Sequence, residues 1–77
     1  MTSRAIIDAL AAILEDIFLF KMDLPLNEEL EAFFEPEQMA QFKELVRQEF
    51  DLDGDSIVDT ALSFRELVYL IQDEVSF

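Results

Sequence analysis

Apolar residues recur at three- and four-residue steps along this chain, and that period predicts helices. In the central stretch, residues 36–50, the side chains of Met39, Phe42, Val46 and Phe50 share one face of a helix. No alternation of apolar and polar residues persists anywhere, so no strand is expected. The periodicity therefore predicts an all-α protein in which the central helix is a main element.

The first half of the chain predicts a long helix, a connection and a short helical segment. Two adjacent apolar stripes predict the long helix over about residues 4–19, with Ser3 as its N-cap. Asn27 is the predicted cap of the short segment EELEAFFE. Pro36 suits the first turn of the central helix and disfavours helical backbone in the residue before it, which separates the two helices.

The sequence near residue 63 contains clear signals for the N-terminus of a last helix. Ser63 and Glu66 have the spacing of a capping box, and Leu62 and Leu67 have that of a hydrophobic staple. The last helix is therefore predicted to begin there and to run to about Glu74. Together these elements predict a small antiparallel helical bundle of three longer helices and one or two short ones, formed by residues 1–77 as a single domain.

The charge of the chain limits its partners. It has 18 acidic and five basic residues, a formal net charge of −13. Nucleic acids and anionic membranes are not expected partners, because both are bound by basic surfaces. The natural complement is a cation or a protein with a basic surface patch.

Catalytic chemistry is also restricted by composition. The chain has neither His nor Cys, which excludes Ser-His-Asp and Cys-His catalysis and leaves no imidazole or thiolate metal ligand. A small bundle offers little cleft to raise the pKa of a carboxyl group, so an enzyme is not expected. The apolar runs are too short and too charged to span a bilayer. Residues 1–10 lack the features of a signal peptide, which predicts a cytoplasmic protein.

The polar side of the central helix is the candidate docking face, which we define as Glu37, Gln41, Glu44 and Gln48. Carboxylates and amides spaced along one side of a helix suit a basic partner surface. The same pattern is also that of an ordinary solvated helix face, and the sequence does not separate the two interpretations.

The acidic run behind the central helix is the candidate metal site. Asp51, Asp53 and Asp55 follow the D-x-D-x-D start of an EF-hand loop. In the standard loop the glutamate ligand is the twelfth residue, whereas Glu66 is the sixteenth when counted from Asp51. The sixth residue of that loop is Gly, and here it is Ser56. Weak Ca²⁺ or Mg²⁺ binding is therefore expected instead of a high-affinity site.

The order and spacing of these features resemble an acyl carrier protein along nearly the whole chain. The similar parts are a long first helix, a long loop, an acidic helix ending in QEFDLD, and a last helix beginning LSFRELVYLIQDE, with a late tyrosine, Tyr69. The resemblance implies a four-helix carrier fold whose second long helix docks to a partner, such as a synthase or ligase.

The same resemblance implies a phosphopantetheine attachment serine at the start of that helix, in an Asp-Ser-Leu motif. The corresponding position lies at or near Pro36, and no serine occurs between Ser3 and Ser56. Ser56, in the run GDSI, is the other candidate, but a second carrier helix starting there would leave no chain for the remaining helices. No phosphopantetheine cofactor is therefore expected.

Three functional hypotheses follow from the sequence. The first is a carrier-protein-like binding protein that docks through its acidic central helix without a prosthetic group. The second is a divalent-cation-binding, EF-hand-like module at residues 51–55. The third is an acidic inhibitor or immunity-type protein that covers a basic surface.

Overall fold

Five helices follow one another in the computed structural model, which describes residues 2–52 and 54–75, with only the backbone for residues 54–56. The helices are α1 (Ser3–Phe18), α2 (Leu30–Phe33), α3 (Pro36–Phe50), α4 (Gly54–Thr60) and α5 (Phe64–Val75). The described residues form no strand, only an isolated antiparallel bridge between Glu29 and Ser63. The predicted fold class, a small all-α bundle of three longer and two short helices, is confirmed.

The start of α1 differs from the prediction that Ser3 is its cap. Thr2 is the N-cap, and its Oγ1 accepts a hydrogen bond from the backbone N–H of Ala5 at 3.2 Å. Ser3 is the first helical residue, and its Oγ donates to Gln72 Oε1 on α5 at 2.8 Å. The Ser3 hydroxyl therefore links the first and last helices instead of capping α1.

The predicted cap of α2 is also wrong. The N-cap position is Glu29, whose side chain makes no capping hydrogen bond. Asn27 instead accepts a hydrogen bond through its Oδ1 from Arg65 Nη2 at 3.1 Å. This contact, with the hydrogen bond from the Arg65 backbone N–H to the Leu26 carbonyl at 3.0 Å, holds the long connection against α5.

The central helix α3 has the predicted bounds. Pro36 occupies its first turn, and the Glu35 backbone N–H donates to Gln38 Oε1 at 2.9 Å, one half of a capping box. The helix ends where Asp51 takes the left-handed conformation, at φ 55°. Phe42, Val46 and Phe50 are buried along its inner face.

The start of α5 confirms Ser63 as an N-cap. Its Oγ accepts from the Glu66 backbone N–H at 3.3 Å, while Glu66 Oε2 accepts from the Leu62 backbone N–H at 2.9 Å. Leu67 is fully buried, but Leu62 is 70% exposed, so the predicted hydrophobic staple does not bury its first residue.

The core lies where α1, α3 and α5 meet, and α4 packs against α3 and α5. At its centre Phe34, Phe42 and Phe64 contact one another, with ring centroids 4.7 to 6.0 Å apart. Aromatic pairs at such distances contribute stabilisation beyond that expected from the apolar area they bury. Half-buried Phe33 and Phe18 extend this cluster toward the surface.

Candidate docking face and adjacent cavity

All residues of the docking face lie exposed on the outside of α3. Glu37, Gln41, Glu44 and Gln48 are spaced by four, three and four residues, so they form a single stripe opposite the buried face. The buried inner face fixes the rotation of α3 about its axis, and this rotation directs the docking face to solvent. The structure therefore brings the four residues together, and their role in docking stays a prediction.

Glu44 is held in place by its neighbours on the helix. Arg47 Nε donates to Glu44 Oε2 at 3.1 Å, Arg47 Nη2 donates to Oε1, and Gln48 Nε2 donates to Oε1 at 3.1 Å. The hydrogen bonds from Arg47, followed by that from Gln48, hold the pKa of Glu44 below its ordinary value. Glu44 is therefore a fixed, ionised carboxylate at neutral pH.

Arg47 was not among the residues that the sequence singled out. It is exposed, and it places one positive charge beside the docking face. The three-residue spacing from Glu44 is the sequence feature that predicts such a pair on a helix.

No hydroxyl is available at the position where the resemblance places the prosthetic group. Pro36 is exposed in the first turn of α3. Of the serines whose side chains the structure describes, Ser3 donates to Gln72 and Ser63 caps α5. Ser56 lies in α4, and its side chain is outside the described atoms.

A cavity of about 180 Å³ lies between α2, α3, α4 and the residues that precede α5. We call it the α3–α4 cavity. Its lining is Leu30, Met39, Val58, Ala61 and Leu62, with Glu29, Glu31, Lys43 and Asp59 as the charged residues.

An ion pair crosses from one wall of this cavity to the other. Lys43 Nζ on α3 lies 2.7 Å from Asp59 Oδ1 on α4. Asp59 therefore lies beside a positive charge on α3, although in the sequence it closely follows the acidic run. Nothing local in the sequence indicates the cavity or this pair, because both depend on how α4 packs against α3.

The candidate metal ligands are described only in part. Asp51 is exposed at the end of α3, whereas Asp53 and the side chain of Asp55 lie outside the described residues. Glu66 caps the backbone of Leu62. The side chains that the structure describes include no group of three or more His, Cys, Asp or Glu placed to hold a metal ion.

Comparison of this chain with protein families, with curated proteins and with solved structures finds no match. Within residues 2–52 and 54–75, every helix is too short or too polar to cross a membrane. Among the described residues, the docking face and the α3–α4 cavity are the surfaces whose geometry and charge bear on function.

Proposed function

We propose that this chain is an acyl-carrier-protein-like binding protein that docks to a partner through Glu37, Gln41, Glu44 and Gln48. The observation that carries the proposal is that these side chains are all exposed in one stripe on α3, opposite its buried inner face. The partner is a protein with a basic surface patch, and the carrier-protein resemblance suggests a synthase or ligase.

The electrostatics of the chain support such an encounter. A net charge of −13 attracts a basic surface from a distance and accelerates association. On the docking face, Glu44 is already held by Arg47 and Gln48, so little side-chain freedom is lost when it meets a cation. This combination favours fast association and a defined orientation over high affinity.

The proposal includes the absence of a phosphopantetheine arm. Pro36 offers no hydroxyl, and Ser3 and Ser63 make structural hydrogen bonds. Incubation with a phosphopantetheinyl transferase and coenzyme A should leave the intact mass unchanged. A gain of one prosthetic group that Ser56→Ala abolishes would contradict this part of the proposal.

The docking experiment uses charge reversal on α3 with a matched reversal elsewhere. Glu37→Lys and Glu44→Lys should each lower the association rate constant with a carrier-protein-dependent synthase or ligase about tenfold at low salt. Glu15→Lys is the control, since Glu15 is an exposed helical carboxylate on α1 and its reversal changes the net charge equally. Surface plasmon resonance against a panel of such enzymes gives the rates.

Two results would contradict docking through α3. One is an equal loss of rate in Glu15→Lys, which would indicate a response to net charge alone. The other is the absence of binding across the panel at low salt. Circular dichroism of each variant verifies that the helices remain intact.

A further inference from the structure

The α3–α4 cavity and the docking face share the helix α3. Met39 and Lys43 line the cavity, and at about 3.6 residues per turn Ala40 and Arg47 lie between them and the docking face. Both Ala40 and Arg47 are exposed, so the surface runs without interruption from the docking face to the cavity. A partner segment lying along α3 therefore reaches both.

The walls of the cavity include five apolar side chains beside its charged ones, and its volume is large enough for one side chain. Leu30, Val58 and Ala61 are buried in its walls, and Leu62, at 70% exposure, stands at its opening. Its volume of about 180 Å³ exceeds the roughly 150 Å³ of an apolar protein cavity that binds benzene. A leucine, methionine or phenylalanine side chain fits such a space.

The charges around the opening select the kind of molecule that carries this side chain. Glu29, Glu31 and Asp59 contribute three carboxylates, against the single ammonium group of Lys43, which is paired with Asp59. An anionic ligand such as a fatty acid is repelled by this surplus, whereas lysine or arginine next to the inserted side chain is attracted.

We propose that the α3–α4 cavity receives one apolar side chain from a basic segment of the partner protein. The inference rests on the proposed docking function and adds to it the point at which the partner is anchored. The two surfaces have different kinetic roles: the docking face raises the association rate, and the buried side chain slows dissociation.

The test uses two synthetic helical peptides as probes. Both consist of lysine and alanine, and they differ only in a central residue, which is leucine in one and alanine in the other. NMR titration should show both peptides shifting the backbone amides of α3, with the leucine peptide binding about tenfold more tightly. Only the leucine peptide should shift the methyl resonances of Met39, Val58 and Leu62.

Two variants probe the cavity directly. Ala61→Met should fill it and remove the difference in affinity between the peptides, and Leu62→Ala should reduce that difference without a buried substitution. Tyr69→Ala is the control, because Tyr69 is 62% exposed on α5 and does not line the cavity. It should leave the difference unchanged.

The outcomes separate this inference from the docking proposal. Equal affinity of the two peptides with unmoved methyl resonances overturns the inference alone. If Glu37→Lys and Glu44→Lys leave the affinity of both peptides unchanged and the leucine peptide still binds more tightly, the inference is supported and the docking face is contradicted. If neither peptide binds, both the inference and the docking proposal are contradicted. If decanoate shifts the same methyl resonances at lower concentration than the leucine peptide, the inference is overturned in favour of a small apolar ligand.

Discussion

Leu19 ends α1 in a conformation that its side chain disfavours. Its backbone is left-handed, at φ 64°, and its N–H donates to the Glu15 carbonyl at 2.8 Å. Glycine is the common residue at such a helix end, because a Cβ atom there lies close to the following carbonyl oxygen. The side chain gains nothing in return through burial, since Leu19 is 86% exposed.

Replacement of Leu19 by glycine should therefore stabilise the protein. The relief of strain, about 1–2 kcal/mol, exceeds the entropy cost of glycine, about 0.5–1 kcal/mol, so Leu19→Gly should raise the free energy of unfolding by up to about 1 kcal/mol. Asp51→Gly is the matched control at φ 55°, and its gain should be smaller because aspartate tolerates this region better. Urea denaturation measures both, and destabilisation by Leu19→Gly would indicate that the exposed leucine has a packing role.

At the scale of the helix, substitutions at the start of α5 distinguish the stability that comes from burial from the stability that comes from the helix cap. Leu67→Ala should lower the free energy of unfolding by about 2–5 kcal/mol, because Leu67 is fully buried. Leu62→Ala makes the same chemical change at a 70% exposed position and should cost little. Ser63→Ala should cost about 1 kcal/mol, since the Glu66 backbone N–H loses its acceptor. If denaturant midpoints show Leu62→Ala to be as costly as Leu67→Ala, the exposed staple residue contributes more than the structure indicates.

The helices themselves could be predicted from sequence because their determinants are local. The period of Phe42, Val46 and Phe50 gave the inner face of α3, and Pro36 gave its first turn. The caps were predicted less well. Thr2 and Ser3 both carry hydroxyls, and only the packing of α5 assigns the Ser3 hydroxyl to Gln72.

The candidate site could likewise be predicted only where its determinants are local. Exposure of Glu37, Gln41, Glu44 and Gln48 follows from the helical period once the inner face is known. The pair of Lys43 with Asp59 joins two helices, and no spacing rule relates residues across a turn in this manner. Sequence periodicity therefore predicts the docking face but not the cavity beside it.

At the scale of the whole molecule, charge opposes folding. Five basic residues can neutralise at most five of the 18 carboxylates. Of the ion pairs between described side chains, Arg4–Asp8 and Arg47–Glu44 lie within single helices, and Lys43–Asp59 joins two. The remaining negative charge repels itself in the folded state, which destabilises the compact form.

Divalent cations should therefore raise the thermal stability of this protein without a dedicated site. We expect Ca²⁺ and Mg²⁺ to increase Tm by similar amounts, and by more than NaCl at equal ionic strength. Screening is then equal, and the excess comes from divalent ions that associate with two neighbouring carboxylates at once. Calorimetric dissociation constants should be about 10⁻⁴ M or weaker, at or beyond the weak end of protein calcium sites. Differential scanning calorimetry and isothermal titration measure the two quantities.

A single-charge comparison distinguishes this diffuse effect from an EF-hand-like site at residues 51–55. Asp53→Asn and Glu15→Gln each remove one of the 18 carboxylates, one inside the acidic run and one on α1. If cations act on the overall field, the two variants should weaken the Ca²⁺-induced rise in Tm equally. The contrary outcome is a sharp loss of the Ca²⁺-induced rise in Tm in Asp53→Asn alone, together with submicromolar Ca²⁺ affinity and strong preference over Mg²⁺ in the unmodified chain. It would favour a cation-binding module over a docking protein, because only a ligand cage makes one carboxylate indispensable.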